Sequence, residues 1–555
     1  MRTSMTASEE EANTQGLPAT LIDWSQKQAV NELYSPIGMD KWKRDYYASS
    51  IDQLLEANQM RTKKLFVALI LGLGLILALC PTLSSTSGAC AAEPRADVPE
   101  CLTSDAWSKI QAQLCPNACR VHDDTVAACP FMLAPLLTSQ AVKLTASDGA
   151  AGDQFGTVAI AGNTIVVGAH GDDVGANENQ GSVYIFERNQ GGPDAWGQTA
   201  HITASDGAGY DYFGKAVAIA GDTIVVGAHY HDVGGNETQG AAYVFERNQG
   251  GANAWGQAAY LTASDGEADD WFGGAVAIAG DTIVVGADDD DGGGYLDRGS
   301  AYVFERNHGG ANAWGQIAHL IASPAGGFEY FGRAVAIADD TIVVGAPKHD
   351  VGYLDNGAAY VFERNQGGAD AWGQVTYLTA SDRAARDYFG TRVAIAGDTI
   401  VVGAHNHDFG GNENQGAAYV FERNQGGADQ WGQIKKLSAG DGAASDYFGS
   451  PVAIAGDTVV VGAYGDDIGA SENQGSAYVF GRNYGGANTW GQVTHLTASD
   501  GAAGDQFGSV AIAGDTVVVG AHYHNIGGNE TQGAAYIFKV EVSNIYLPLV
   551  LRQFP

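Results

Sequence analysis

Short runs of small and β-branched apolar residues, broken by glycines and acidic residues, dominate the chain from about residue 140 onward. Ala216 to Ala220 and Thr223 to Ala228 are two such runs, separated only by Gly221-Asp222, a two-residue hairpin signal. A third covers Ala241 to Arg247, and after Asn248-Gln249-Gly250-Gly251 a fourth starts near Trp255 and ends near Ala263. The pattern predicts four antiparallel strands. The Phe-Gly pair that opens this unit recurs at Phe155, Phe213, Phe272, Phe331, Phe389, Phe448 and Phe507, in steps of 58 or 59 residues, giving seven units. A lone four-stranded sheet leaves both apolar faces wet, and radial stacking buries them. Residues 139–539 are therefore predicted to be all-β, a seven-bladed β-propeller of four-stranded antiparallel blades.

Ring closure can also be read from the pattern. Six units carry a fourth strand that starts with a tryptophan (Trp196, Trp255, Trp314, Trp372, Trp431, Trp490), whereas the seventh stops after Ala534 to Lys539. The missing strand matches Gln140 to Ser147, which stands alone before the first Phe-Gly, so this segment is predicted to complete blade seven. Units one and seven also lack one residue after Phe-Gly, and a closed ring makes them neighbours with a tighter seam.

Ahead of the repeats the pattern changes. Leu65 to Leu79 is an uncharged, almost wholly apolar run, preceded by Arg61, Lys63 and Lys64 and followed by Cys80, Pro81 and a Ser/Thr-rich stretch. Basic before and polar after directs the following chain outward. The run is short for a membrane-spanning helix but fits a secretory signal, with a cleavage site at Ala89-Cys90-Ala91 and a translation start at Met60. The alternatives are a single-pass anchor, with residues 65–83 in the membrane, or a buried core helix; bulky Leu79 argues against lipidation of Cys80. The chain thus divides into an N-terminal tail (1–64), a signal or anchor segment (65–91), a Cys-rich spacer (92–138), the propeller (139–539) and a C-terminal tail (540–555). In the spacer, Ser104 or Asp105 caps a short helix with Trp107, Ile110 and Leu114 on one face, and Cys101, Cys115, Cys119 and Cys129 are candidates for two disulfides. Zinc is the weaker reading, since paired C-x-x-C knuckles are absent. The C-terminal run around Tyr546, Leu547, Leu549 and Leu551 is expected to pack on the ring or spacer, or to serve surface attachment.

With 29 basic against 64 acidic side chains the net charge is −35, and residues 1–64 are nearly neutral, so the acidity belongs to the body. Such a field repels phosphate backbones and excludes nucleic acid as a partner. With 77 glycines and only 17% charged residues, helical bundles are excluded too.

The order FG…VVGA followed by G-x-x-Y-V-F resembles the FG-GAP repeat of the integrin α-chain propeller, and unit four keeps the name-giving Gly345-Ala346-Pro347. The resemblance spans about 400 of the 555 residues. It implies an extracellular adhesion or recognition module. Other units replace that proline with His170, His229, Asp288, His405, Tyr464 and His522. Several integrin blades bind calcium in the first hairpin loop, but here that hairpin is only two residues and cannot wrap a cation needing six to eight oxygens. The family's calcium sites are therefore not carried over.

Candidate chemistry falls on the loop between second and third strands and on the segment leading into the first strand, which are expected to share one acidic, histidine-bearing face. His229/His231, His405/His407 and His522/His524 are i, i+2 pairs that point the same way in extended backbone, with Asp232 and Asp408 next. They are candidate ligands for a divalent cation, although solvated loop tips explain them equally. Asp289 and Asp291 belong to the densest carboxylate run, Asp288 to Asp291, read as a calcium candidate or, more simply, an exposed tip. The Glu-Arg pairs ending each third strand are expected to bridge blades, and the Trp and Phe-Gly aromatics to pack them. No cofactor is implied, and no H-E-x-x-H, G-x-S-x-G or phosphate-loop pattern is present. The reading is a non-enzymatic cell-surface module for a protein or polysaccharide. A carbohydrate-active enzyme or accessory module using the acidic face, with Asp289 and Glu329 as candidate acids, and a structural envelope protein are the alternatives.

Overall fold

The computed structural model describes residues 129–131, 140–291, 296–324, 326–425, 427–484, 486, 488–540 and 547–549. These belong to one compact unit, Leu114–Pro555. The signal or anchor segment and Cys101, Cys115 and Cys119 lie outside the described residues. Among the described residues no helix is long and apolar enough to cross a membrane.

Seven four-stranded antiparallel sheets are present. Their innermost strands are Phe155–Ala161, Ala216–Ala220, Ala275–Ala279, Ala334–Ala338, Arg392–Ala396, Val452–Ala455 and Phe507–Ala513. Each lies beside the innermost strands of both neighbouring blades, and the last touches the first, so the ring is closed. Side-chain character follows radial position. Second strands such as Thr282–Ala287 (TIVVGA) are buried along their whole length, because neighbouring blades cover both faces. Innermost strands such as Ala275–Ala279 stay half-buried along the central channel, and outer strands such as Trp314–Leu320 bury mainly their two ends.

Blade seven is completed by Gln140–Leu144, which pairs antiparallel with Ala534–Lys539. The strand carries the same register shift near its start as the other outer strands, which identifies it as their equivalent. A circle of hydrogen bonds makes the closure explicit. Gln198 Oε1 accepts the Ser147 N–H at 3.0 Å, Gln257 that of Ser205 at 3.1 Å, and so on round to Gln140, which accepts the Ser499 N–H at 2.9 Å. The shorter Phe-Gly segments of units one and seven have a direct consequence. There the innermost strand runs unbroken from the phenylalanine for seven residues, whereas the extra residue elsewhere forms a turn and leaves five or fewer.

Blades interlock through aromatic and backbone contacts. Phe331 is fully buried and meets Tyr360 and Phe362 of its own blade edge-on, with ring centroids 5.5 and 5.9 Å apart, a trio every blade repeats, and it packs in one cluster with Ala301, Val303 and Leu320 of the preceding blade. The third-strand arginines bridge blades as the spacing expects. Arg306 Nη1 donates to Glu246 of the preceding blade, Nε to Asp281 at 2.7 Å, and the guanidinium lies 4.5 Å over Trp314. Asp222, Asp340, Asp398 and Asp457 are engaged in the same way. The hairpin carboxylates Asp222, Asp281, Asp340, Asp398 and Asp457 are thus committed to arginines and Asp515 to Lys539, and these loops do not fit the calcium sites of integrin blades. Gly481, where unit six lacks the glutamate, is matched by Val540 where blade seven lacks the arginine, so the exception is a paired loss. Leu547–Leu549 of the C-terminal tail forms a two-stranded sheet with Cys129–Phe131 of the spacer.

Candidate functional site

Two sets of chemical groups emerge. The first is a buried knot in every blade, built from an acid two residues before the Phe-Gly phenylalanine, a residue of the second-to-third loop, and a residue of the outer strand. In blades two, four, five and seven the loop supplies histidine. His231 Nδ1 lies 2.9 Å from Asp211, His349 2.8 Å from Glu329, His407 3.0 Å from Asp387 and His524 2.7 Å from Asp505. In blades one, three and six the loop supplies Asp172, Asp290 or Asp466, and the histidine moves to the outer strand as His201, His319 or His495. These imidazoles stack on the third-strand tyrosines, with centroids 4.6, 4.6 and 5.0 Å apart. The same three blades carry Ser182, Ser300 and Ser476 where the other four have alanine.

This three-position exchange was legible as covariation among the seven copies, a signal that reading motifs singly misses. Its electrostatics are consistent. Where two carboxyls meet instead of a carboxyl and an imidazole, burial and then the neighbouring acid push Asp153 up to about 6, Asp270 to about 7 and Asp446 to about 6.

The knots correct one expectation. The i, i+2 histidine pairs do not point the same way, because each sits on a turn after the second strand rather than on extended backbone. His231, His407 and His524 turn into their blades, while His229, His405 and His522 turn toward the channel, where no acid of the knot reaches them. Asp232 and Asp408 cap their own loops by accepting N–H groups of Thr238 and Asn414, both at 2.8 Å, and Asp291 does the same for Asp297 at 2.9 Å. Among the described residues no three His, Cys, Asp or Glu side chains converge in a metal-binding group. The exposed-tip reading of the Asp288 run is overturned at its start: Asp288 is 2% exposed and accepts from Arg333 Nη1 at 2.9 Å.

The second set lines the channel mouth. Positions equivalent to the GAP proline carry His170, His229, Asp288, Pro347, His405, Tyr464 and His522. The residues before Phe-Gly in blades two to six, Tyr212, Trp271, Tyr330, Tyr388 and Tyr447, form a half-buried aromatic crown. Each has positive φ, between 53 and 57°, which turns these side chains out of the strand line. Crown and imidazoles alternate around the mouth: His522, His170, Tyr212, His229 and Trp271 follow one another at centroid distances of 6.0 to 6.3 Å, as do Tyr388, His405 and Tyr447 at 6.0 to 6.2 Å.

Into this ring project Lys215, Arg333 and Arg392 from innermost strands or the turns leading into them. Lys215 Nζ is 3.4 Å from His170 Nε2, and Arg392 donates to the Thr391 carbonyl at 2.9 Å. Burial and then mutual repulsion lower Lys215 to about 8 and Arg392 to about 10, so both stay charged at neutral pH. Burial and then these cations hold His170 at about 2, His229 and His522 at about 3 and His405 at about 4. Burial and then Asp288 push Asp289 up to about 7. The mouth is therefore locally cationic in a strongly acidic protein, with neutral imidazoles. Three positive charges also oppose a divalent cation at His229, His405 and His522.

A pH prediction follows for His170, which is 5% exposed. The unfolded chain binds a proton at this histidine below about 6.5 and the fold does not until about 2, so stability is lost as pH falls through that window. His170→Asn removes this loss, and the variant should gain up to about 2 kcal/mol relative to wild type between pH 7 and pH 5. Urea melts at the two pH values test it; parallel changes in both proteins would contradict it.

A closed ring of seven four-stranded antiparallel sheets defines a β-propeller. Models of the FG-GAP repeat match residues 138–186, 196–245, 255–304, 314–362, 372–421, 431–480 and 490–538, and the chain belongs to this family. Each match begins at or just before an outer strand and ends within the third strand of the following blade, so sequence repeat and blade are offset by one strand. No curated protein matches the chain. Among solved structures, the periplasmic gluconolactonase PpgL of Pseudomonas aeruginosa is similar at 12% identity with a TM-score of 0.40, covering 62% of this chain and 86% of that one.

Proposed function

We propose that the protein is an exported, non-enzymatic recognition module whose channel-mouth face binds an extracellular polysaccharide. The observation that supports this most is the aromatic crown of Tyr212, Trp271, Tyr330, Tyr388 and Tyr447, interleaved with neutral imidazoles around one opening. Aromatic faces with polar rims suit the flat apolar faces and hydroxyl edges of sugar rings. The apolar run Leu65 to Leu79 behind basic residues supports export.

The knots weigh against hydrolysis. His201 lies 3.4 Å from Asp148 and 2.9 Å from Ser182 Oγ, and His319 lies 3.2 Å from Asp265 and 2.8 Å from Ser300 Oγ, which resembles a nucleophile triad. Both serines are fully buried, so no substrate carbonyl reaches them. Glu329, a candidate acid of the enzyme alternative, is 4% exposed and held by His349.

The test is retention on a polysaccharide panel by the full chain and by a Trp271→Ala/Tyr388→Ala variant. Binding should weaken at least tenfold in the variant while its melting temperature stays close to wild type, with no new reducing ends released by either protein. Glycan cleavage that disappears in Asp289→Asn would overturn the non-enzymatic reading.

A further inference from the structure

We infer that the central channel is an anion site that takes the carboxylate of an acidic sugar, with the sugar ring held by the crown; this rests on the polysaccharide reading above and names its ligand class. Lys215, Arg333 and Arg392 come from blades two, four and five and converge on one opening. Among the described residues only one of the three, Arg333, has a carboxylate at ion-pair distance. Arg333 shares Asp288, Lys215 meets a histidine, and Arg392 meets a backbone carbonyl. Elsewhere in the ring the third-strand arginines are spent on glutamate and aspartate bridges between blades. Three cations held close together at the mouth, Lys215 and Arg333 reaching solvent and Arg392 half-buried, repel one another, and an oxyanion among them removes that repulsion. Guanidinium forks present paired donors that match a planar carboxylate.

A second, independent observation comes from hydrogen bonding. Nδ1 of His170, His229 and His405 and Oδ1 of Asp289 are buried atoms with no hydrogen-bond partner among the described residues, and all four belong to residues of this mouth. A neutral imidazole offers one donor and one acceptor, the combination a hydroxyl also offers. Ligand hydroxyls around a central carboxylate would meet these rings, while a peptide carboxylate would leave them unanswered. The acidic outer surface repels polyanions at a distance, so the site suits the end of an acidic chain rather than its length.

The experiment measures ligand-induced shifts in melting temperature and calorimetric affinity on the full chain, with D-glucuronate, D-glucose, acetate and a short peptide with a free C-terminus as probes. Glucuronate at millimolar concentration should raise the melting temperature by several degrees and bind at least tenfold more tightly than glucose or acetate, with affinity falling as salt is raised. Arg392→Gln and Lys215→Gln should each weaken glucuronate at least tenfold. Both variants should melt no lower than wild type without ligand, because each relieves repulsion, which separates lost binding from lost folding. Glucuronate binding no better than acetate or glucose, unchanged binding in the variants, or tighter binding of the peptide would each overturn the inference. If neutral polysaccharides are still retained through Trp271 and Tyr388 in that case, the recognition reading survives and only the acidic ligand is lost.

Discussion

Gly286→Ala is expected to cost the fold more than about 4 kcal/mol, enough to lower the melting temperature by about 10 °C or to prevent soluble expression. An added Cβ at Gly286 would stand 2.0 Å from the Gly332 carbonyl oxygen of the next blade. Neither side can retreat. Gly286 lies in the fully buried strand Thr282–Ala287, and the Gly332 N–H is fixed to the Gly345 carbonyl at 3.1 Å. Two blades would have to separate to admit one methyl group, and packed interiors resist such insertion. Gly280→Ala is the control. It sits in the first hairpin at φ +56° with nothing within 4 Å of the added atom, so only the backbone conformation is penalised, at about 1 kcal/mol. Comparable thermal melts for the two variants would show that blade contact is not what Gly286 protects.

Removal of residues 140–147 should be nearly as damaging. This strand buries Leu144 and Ala146 at 3% and 6% exposure and supplies the outer edge of blade seven. Its Lys143 also bridges Asp500 at 2.8 Å and His524 Nε2 at 2.8 Å. Without it the third strand Ala534–Lys539 becomes an unpaired edge, and the chain no longer ties blade seven to blade one. A fall in melting temperature of about 10 °C or more, with aggregation, is expected. Joining an equivalent strand after Lys539 through a Gly-rich turn, as in the other six blades, should restore most of the loss. A deletion variant that melts like wild type would mean the ring is held without its closing strand.

Much of this architecture was legible because repetition multiplies weak signals. A single Gly221-Asp222 between apolar runs is an ordinary hairpin cue, but seven phased copies leave no other way to bury second strands on both faces. The lone QAVKLTAS segment was readable for the same reason, since six intact copies define what the seventh lacks. The i, i+2 histidine pairs were misjudged because alternation assumes extended backbone, and the chain turns immediately after the second strand. The Asp288 run was misjudged because sequence spacing does not show that Arg333, 45 residues later, returns to meet it.

The sequence by itself determined the number of blades, the strand order within each and the strand that closes the ring, because all three depend on local turn chemistry and on counting copies. It also fixed the family, the acidity of the body and the poor fit of two-residue hairpins to calcium. Only the tertiary structure decided that the GAP-proline positions and three cations share one opening, since those residues come from different blades. Charge at a site depends on distance through space. In a closed ring, residues more than a hundred positions apart become neighbours across the channel, and no pattern within one repeat reports it.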